Sequence, residues 1–466
     1  MRLGYKHYKP EDKVLDISNY PALVKKICEI FSNDPFENMK NISSKLNISK
    51  DELKKISLEI RKNDILQEYI LTQGVGKKYW ENTIASLMKS GKLVDAIKNR
   101  PSYPNRIGLF PGIKCQFFCT FCGRNYAAKY SDEVAKKSFE VFKKVIDEDP
   151  KNDFNWEDRF RISGGLEPLT NPYIGKIVSY GASKGFLMQM YTNGFALTPN
   201  FLKEQEGLFE LERLRVSLYG VDNSSYEKVT RVPKSFNIVK NNLTNFLREN
   251  IAKKSIKIGL NWIILPGQSN LLKPLFNFIS EISIASGRSI DYLTLREDFS
   301  QSGSVISFEE REELKKIFNW IKNECSLRDE LKNLYVDYGY ALQPLTEGKN
   351  IGPLKMVNYK DMPDYGFPQV ATCLDSKGNL YVYHESGFLE RSGSERYIAG
   401  NIIEKNGVMK VVEDHLKSNP ITPMPFDVGF LDAFDHTVSI LMKQAEIDHK
   451  FGIPWSEGPI NLRSYD

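Results

Sequence analysis

A chain of 466 residues is too long for one ordinary hydrophobic core, so one large domain with smaller additions is expected. Its 41% hydrophobic and 12% aromatic content suits a globular enzyme and excludes a disordered or fibrous chain. The 64 basic and 59 acidic residues leave a formal charge of +5, a small and dispersed excess that gives no case for nucleic acid and only hints at an anionic partner.

The first residues, "MRLGYKHYKPEDKVLD", contain neither an apolar signal region nor a small-residue cleavage site. Apolar runs such as "GLNWIILPG" are too short to span a bilayer. The expectation is a cytoplasmic protein with no membrane partner and reduced thiols, where clustered cysteines point to metal before disulfide. "PALVKKICEIFSND", "NISKDELKKISLEIRKND" and "GKKYWENTIASLMKSGKLVDAIKN" carry apolar residues at three- and four-residue intervals, and Ser49 precedes acidic residues like a helix cap. Residues 1–104 therefore read as a helical domain ending in the stretch between Pro101 and Pro104.

From about 105 the pattern alternates. Strand-like "RIGLFPG", "FRISGG", "FLMQMYTNG", "LRVSLYG", "IKIGLNWIILPG" and "DYLTLRED" are separated by amphipathic stretches such as "EVAKKSFEVFKKVIDED" and "FNIVKNNLTNFLREN". About six such units predict an α/β fold, an open or partial (β/α)6 barrel over 105–330, with its site at the C-terminal ends of the strands. Residues 331–466 read as an extension over the barrel mouth. It holds the strand-like "NLYVDYGYAL", a hairpin "QVATCLDSKGNLYVYHESGF" turning at Ser376 to Gly378, and helices.

Three of the six cysteines, Cys115, Cys119 and Cys122, lie in "KCQFFCTFCGRNY" after the first strand. Three thiolates cannot close a tetrahedral zinc site. They suit either a [4Fe–4S] cluster with one iron left open, shielded by Phe118 and Phe121, or a zinc knuckle completed by a distant His384 or His415. Cys28, Cys325 and Cys373 are isolated and read as small buried hydrophobes, so one cluster is expected. One unit further on, "SGGLEPLTNP" offers Gly164 and Gly165 for close backbone approach and Glu167 as an acceptor for an ammonium group.

The pattern Cys115, Cys119, Phe121, Cys122, followed by Gly164, Gly165 and Glu167, resembles the radical S-adenosylmethionine (SAM) superfamily. The resemblance implies one [4Fe–4S] cluster whose open iron is chelated by SAM. Glu167 or the Gly165 backbone would hold the SAM amino group, and Phe121 would lie beside the adenine. Thr192, Asn193 and Ser217 would contact its methionine and ribose, although as bare residues they read equally as turn formers.

"SGGLEPLTNP", "YTNGFALT", "SLYG", "LREDFS", "DYGYAL" and "YIAG", with "YWENTIASL" and "YVYHESGF", narrow the resemblance to the superfamily's ammonia-lyases of deoxysugar biosynthesis. That implies hydrogen abstraction from carbon 3 of a nucleotide-linked 4-amino-4,6-dideoxyhexose, TDP-linked by preference. The carbon 4 amine would leave to give a 3-keto-4,6-dideoxy sugar, with electrons from a flavodoxin or ferredoxin. The departures "CGRNYAAKY" and His384 point to a related nucleotide sugar, and dehydration, dehydrogenation or epimerisation of such a sugar or of an aminoglycoside is the alternative outcome.

Glu297 and Asp298, ending the sixth strand, are the candidates for ammonium binding and base work, and Arg296 for phosphate or for orienting them. Tyr338 and Tyr340 are candidates for hydrogen bonds to the sugar, His384 and Glu385 for closure over the pocket, and Arg396 with Tyr397 for phosphate and base. The oligomeric state is not legible in the sequence.

Overall fold

A computed structural model describes residues 16–33, 39–61, 63, 65, 66, 69, 92–151, 159–253, 256–298, 306–346, 348, 366–383, 385–418 and 435. The N-terminal helices α1 (Ala22–Asn33), α2 (Met39–Leu46) and α3 (Lys50–Arg61) share a small core of their own around Ile27, Cys28, Ile42, Leu53 and Ile60. The Ser49 hydroxyl accepts from Glu52 N, as a cap does. A short helix α4 (Lys92–Ile97) leads towards the linker, and "YWENTIASL" lies outside the described residues.

The six expected strands are present as β1 (Arg106–Phe110), β2 (Phe160–Ile162), β3 (Gln189–Thr192), β4 (Arg213–Leu218), β5 (Lys257–Ile264) and β6 (Tyr292–Glu297), each parallel to its neighbour. Between them run α5 (Asp132–Asp147), α6 (Ile174–Ser183), α7 (Pro199–Glu204), α8 (Asn223–Thr230), α9 (Ser235–Lys253) and α10 (Leu272–Ser286). Ser131 caps α5, Thr198 caps α7, and Asp222 forms a capping box with Ser225 on α8, so these three helices begin where a side chain satisfies the first amides. The sheet's outer face, with Ile107, Leu109, Leu214, Val216, Leu260, Trp262, Leu293 and Leu295, forms one core with the helices.

The sheet runs past residue 330. After α11 (Phe308–Leu327), β7 (Tyr335–Asp337) joins β6 in parallel, and α12 (Gly339–Thr346) follows. At the other edge β8 (Ala371–Asp375) lies parallel to β1, and β9 (Asn379–Tyr381) and β10 (Ile398–Asn401) continue antiparallel. The order β10-β9-β8-β1-β2-β3-β4-β5-β6-β7 makes the extension part of the wall. Asp375 fastens this edge: its carboxylate accepts from Lys377 N, Asn379 N, the Asn379 amide and the Tyr381 hydroxyl. None of the described helices is long and apolar enough to cross a membrane.

The last described helix, α13 (Val408–Ser418), buries Val408, Val411, Val412 and His415. Both ring nitrogens of His415 lack a hydrogen-bond partner, and burial lowers its pKa from the ordinary 6.5. Below pH 6.5 the unfolded chain binds a proton that the folded one refuses, so stability should fall as pH drops, by up to about 1.4 kcal/mol per unit. Denaturant melts between pH 5 and 7 should show this slope reduced in His415→Leu.

Candidate active site

The loop between β1 and α5 carries the three cysteines and is stitched to the loop after β2. Glu167 N donates to Lys114 O at 3.0 Å, and the Thr170 hydroxyl accepts from Ile113 N and Lys114 N. A Cβ on Gly112 would stand 2.5 Å from the Leu166 carbonyl, so only glycine permits this approach. Cys119 is buried, Cys115 and Cys122 are half-buried, and none is in a disulfide.

Two side chains shape this loop from within. Tyr126 donates to Cys119 O, and the Arg124 guanidinium donates to Phe117 O while lying over the rings of Phe118 and Tyr126. Burial, reinforced by the negative charge of Glu167, pushes the Cys115 thiol up to about 11; burial and the neighbouring cysteines push Cys119 higher still. Phe117 is the ring sealed beneath the loop, against Phe195 and Tyr226, whereas Phe118 is 40% exposed and does not shield it. Phe121 packs on Tyr219 just beyond β4, with ring centroids 5.3 Å apart.

The donor set fits an iron–sulfur cluster: three thiols on one loop at a barrel mouth, with burial that keeps water away. Among the described residues no three His, Cys, Asp or Glu side chains converge tightly enough to hold a single metal ion.

Gly164 and Gly165 both take left-handed backbone, with φ +60 and +64. A Cβ on Gly164 would also lie 2.2 Å from the Phe110 ring. Gly164→Ala is therefore expected to destabilise the protein by roughly 1–3 kcal/mol, read by denaturant unfolding.

The turn delivers Glu167 into the interior. Its carboxylate accepts from Leu169 N, the Thr192 hydroxyl and Asn193 N, tying the end of β2 to the end of β3. Burial pushes its pKa up to about 7 against the lowering effect of those bonds. A carboxylate has about four acceptor sites, so one remains for an incoming ammonium group. Asn193 bridges outward, accepting from Phe195 N and Gln116 Nε2, with its own amide nitrogen 3.9 Å from Cys115 Sγ. Cys115, Glu167, Thr192 and Asn193 thus form one contiguous group.

Strand alternation decides which other candidates face the same space. Ser217 shares parity with Arg213 and Arg215, opposite the core residues Leu214, Val216 and Leu218, so it faces inward. Beneath it the Arg215 guanidinium fills the interior between the rings of Tyr191 and Tyr292, and Gly259 has no room for a Cβ under the Tyr292 ring.

On β6, Arg296 has inward parity and is exposed. Glu297 has the parity of Leu293 and Leu295, and it corrects the expectation of a catalytic base. It points into the helical layer and forms a buried ion pair with Arg311 of α11, at 2.6 Å. Tyr338 likewise turns to α11, its ring 4.7 Å from Phe318, and so away from a sugar. Tyr397 is buried against Tyr383, with Arg396 over its own neighbour's ring, so this pair does not present an open stacking face. Asp298 is half-buried just past the strand end. His384 and the side chains of Tyr340 and Glu385 lie outside the described residues.

The segment after the hairpin still reaches the site. A Cβ on Gly165 would lie 3.5 Å from Gly387 O, Leu389 packs against the same small core of Ile113, Tyr130, Ala135 and Leu166 as Cys115, and a Cβ on Gly123 would lie 3.6 Å from the Arg391 guanidinium. Arg124, Gln116, Tyr219 and Arg391 were not singled out from the sequence. For Glu297 a signal existed: in "YLTLRE" the polar and apolar residues alternate, and Glu297 falls in the apolar register.

The model of the radical SAM superfamily matches residues 109–271. The dTDP-4-amino-4,6-dideoxy-D-glucose ammonia-lyase of Streptomyces venezuelae is 33% identical over 437 residues, covering 93% of this chain and 88% of that protein. A shorter match, 33% identical over 75 residues, covers 16% of this chain and 21% of an AdoMet-dependent heme synthase of Methanosarcina barkeri (strain Fusaro / DSM 804). Among solved structures, Streptococcus suis SuiB bound to S-adenosylmethionine aligns with a TM-score of 0.46 and 16% identity, over 80% of this chain and 77% of that one. The zinc-knuckle alternative therefore falls, since the match runs along nearly the whole chain and not along the cysteine loop alone. The chain belongs to the radical SAM superfamily.

Proposed function

We propose that the chain is a radical SAM carbon–nitrogen lyase acting on a nucleotide-linked, by preference TDP-linked, 4-amino-4,6-dideoxyhexose. It removes a hydrogen atom from carbon 3 and eliminates the carbon 4 amine as ammonia, and one electron from the donor and one proton then return to carbon 4, leaving a 3-keto-4,6-dideoxy sugar. The observation that carries this reading is the near full-length 33% identity to an ammonia-lyase of that substrate. The superfamily uses a [4Fe–4S] cluster and SAM, and these supply a 5′-deoxyadenosyl radical when bound.

The chain's own residues bind and orient. Cys115, Cys119 and Cys122 hold the cluster, and the loop's contacts to Thr170 and Glu167 fix where it stands. The Gly165 backbone and the remaining acceptor site of Glu167 receive the SAM amino group; Thr192, Asn193 and Ser217 face its methionine and ribose, and Phe121 its adenine. Arg296 meets the substrate diphosphate, and Asp298 takes the carbon 3 hydroxyl proton. Electrons come from a flavodoxin- or ferredoxin-type donor.

The test is an anaerobic assay of iron–sulfur-reconstituted protein with SAM, reductant and TDP-4-amino-4,6-dideoxyglucose. Equal amounts of 5′-deoxyadenosine and ammonia support the lyase. 5′-Deoxyadenosine above the no-substrate level without ammonia would overturn elimination in favour of oxidation of the sugar.

A further inference from the structure

The register across β5, β6 and β7 sets Asn261 beside Thr294 and Thr294 beside Asp337. Paired positions on neighbouring strands lie about 4.8 Å apart and share a face, so these side chains form one row. That face is the inner one, because the flanking Leu260, Trp262, Leu293 and Leu295 all belong to the core shared with the helices. The row continues from Ser217, one residue before the end of β4, which pairs with Asn261; Asn261 and Thr294 lie three residues inside the ends of β5 and β6, and Asp337 ends β7.

Two of its members, Asn261 and Thr294, are built for polar contact yet incompletely satisfied. Thr294 is 1% exposed and Asn261 7%, and neither Thr294 Oγ1 nor Asn261 Oδ1 has a hydrogen-bond partner. Buried polar atoms are almost always paired, and a ligand is what completes such atoms in a binding site. Asp337 is 6% exposed, and its carboxylate accepts from Gly339 N at 3.2 Å. Gly339 has φ +61, and a Cβ there would stand 2.8 Å from Leu295 O, so the turn is wedged against β6 and holds the carboxylate in place. Among the described inward positions of β4 to β7, Asp337 is the one carboxylate; the other charged groups are Lys257, Arg213, Arg215 and Arg296.

We propose that Asn261, Thr294 and Asp337 form the hexose subsite, Asp337 pairing with the protonated amine of the sugar and Asn261 and Thr294 with its hydroxyls. This rests on the lyase reading and deepens it. A ligand with a diphosphate at one end and an ammonium group at the other needs a cation and a carboxylate, and on the inner face of β4 to β7 Arg296 and Asp337 supply one of each towards the C-terminal ends of β6 and β7. Asp337 thereby takes the ammonium-binding role that the sequence had suggested for Glu297.

The experiment measures binding, with no reductant and hence no turnover. Reconstituted full-length protein with SAM is dialysed against TDP-4-amino-4,6-dideoxyglucose and, separately, its 4-hydroxy counterpart. Wild type is expected to prefer the amino sugar by about tenfold or more. Asp337→Asn keeps an oxygen for Gly339 N, and should weaken the amino sugar about 10- to 100-fold while leaving the hydroxy sugar within about twofold. Thr294→Val, nearly isosteric, should weaken both sugars and raise the unfolding midpoint of the unliganded protein.

Preference for the amino sugar that survives in Asp337→Asn would overturn the inference alone, as would unchanged affinity for both sugars in Thr294→Val and Asn261→Ala. A wild type that binds neither sugar would overturn the lyase reading and this subsite together. Should Asp337→Asn not fold, the Thr294→Val and Asn261→Ala measurements decide.

Discussion

Cys119→Ser is expected to abolish cluster assembly: reconstituted wild type should carry about four iron atoms per chain with brown absorbance, and the variant neither. SAM cleavage should fall to the level of protein-free controls. The reason is the ligand count, since the loop offers three thiolates and loses one, and a serine hydroxyl is a far weaker acid than even a buried thiol. Cys119 is also the most deeply buried of the three, and its carbonyl accepts from Tyr126, so the loop cannot bring in a substitute ligand by sliding. The control is Cys325→Ala, on α11 and away from the loop, which should keep full iron and full SAM cleavage. Iron, sulfide and 5′-deoxyadenosine measured on the same preparations check both. A Cys119→Ser protein with a full cluster would show that the loop is not the ligand set.

Glu297→Ala should cost about 3–5 kcal/mol of stability while leaving turnover per folded molecule within about twofold. Removing one partner of a buried ion pair takes the compensating carboxylate from the other, here the Arg311 guanidinium, whose side chain is 6% exposed. Arg311→Ala should cost a similar amount, whereas the double change Glu297→Leu with Arg311→Met should restore most of it, because two apolar groups of similar volume can replace such a pair. Urea unfolding of the four proteins, with single-turnover rates on the folded fractions, separates a girder from a catalyst. If Glu297 were the base, its loss would cut the rate by about 10²–10⁴ with a smaller change in stability, and the double variant would not recover it.

Much of the architecture is legible because it is local. Six strands and their crossover helices follow from alternation, periodicity and capping residues, and β1 to β6 stand where those signals place them. The hairpin turn at Ser376 to Gly378 follows from its residues in the same way. The cysteine loop and the Gly164–Gly165 turn are equally local, since their chemistry lies in residue types at short spacing. What remained hidden depends on distant partners. Nothing near "ATCLD" says that β8 lies beside β1, whose residues are over 260 positions earlier. Neither "HESGFLER" nor the cysteine loop announces that Arg391 lies beside Gly123. Phe117 and Phe118 are identical in type, and only the packing of Phe195 and Tyr226 decides which ring is buried.

The sequence by itself determined the chemistry that the chain carries: three thiols in one loop, a flexible turn with a carboxylate, and an alternating α/β wall to hold them. The tertiary structure decided direction. A strand fixes that adjacent side chains face opposite ways, but which way is inward is settled only when helices cover one face. That packing turned Glu297 and Tyr338 to α11 and left Arg296, Thr294 and Asp337 on the inner side, a choice made by burying leucine against helices and not by any residue of the site itself.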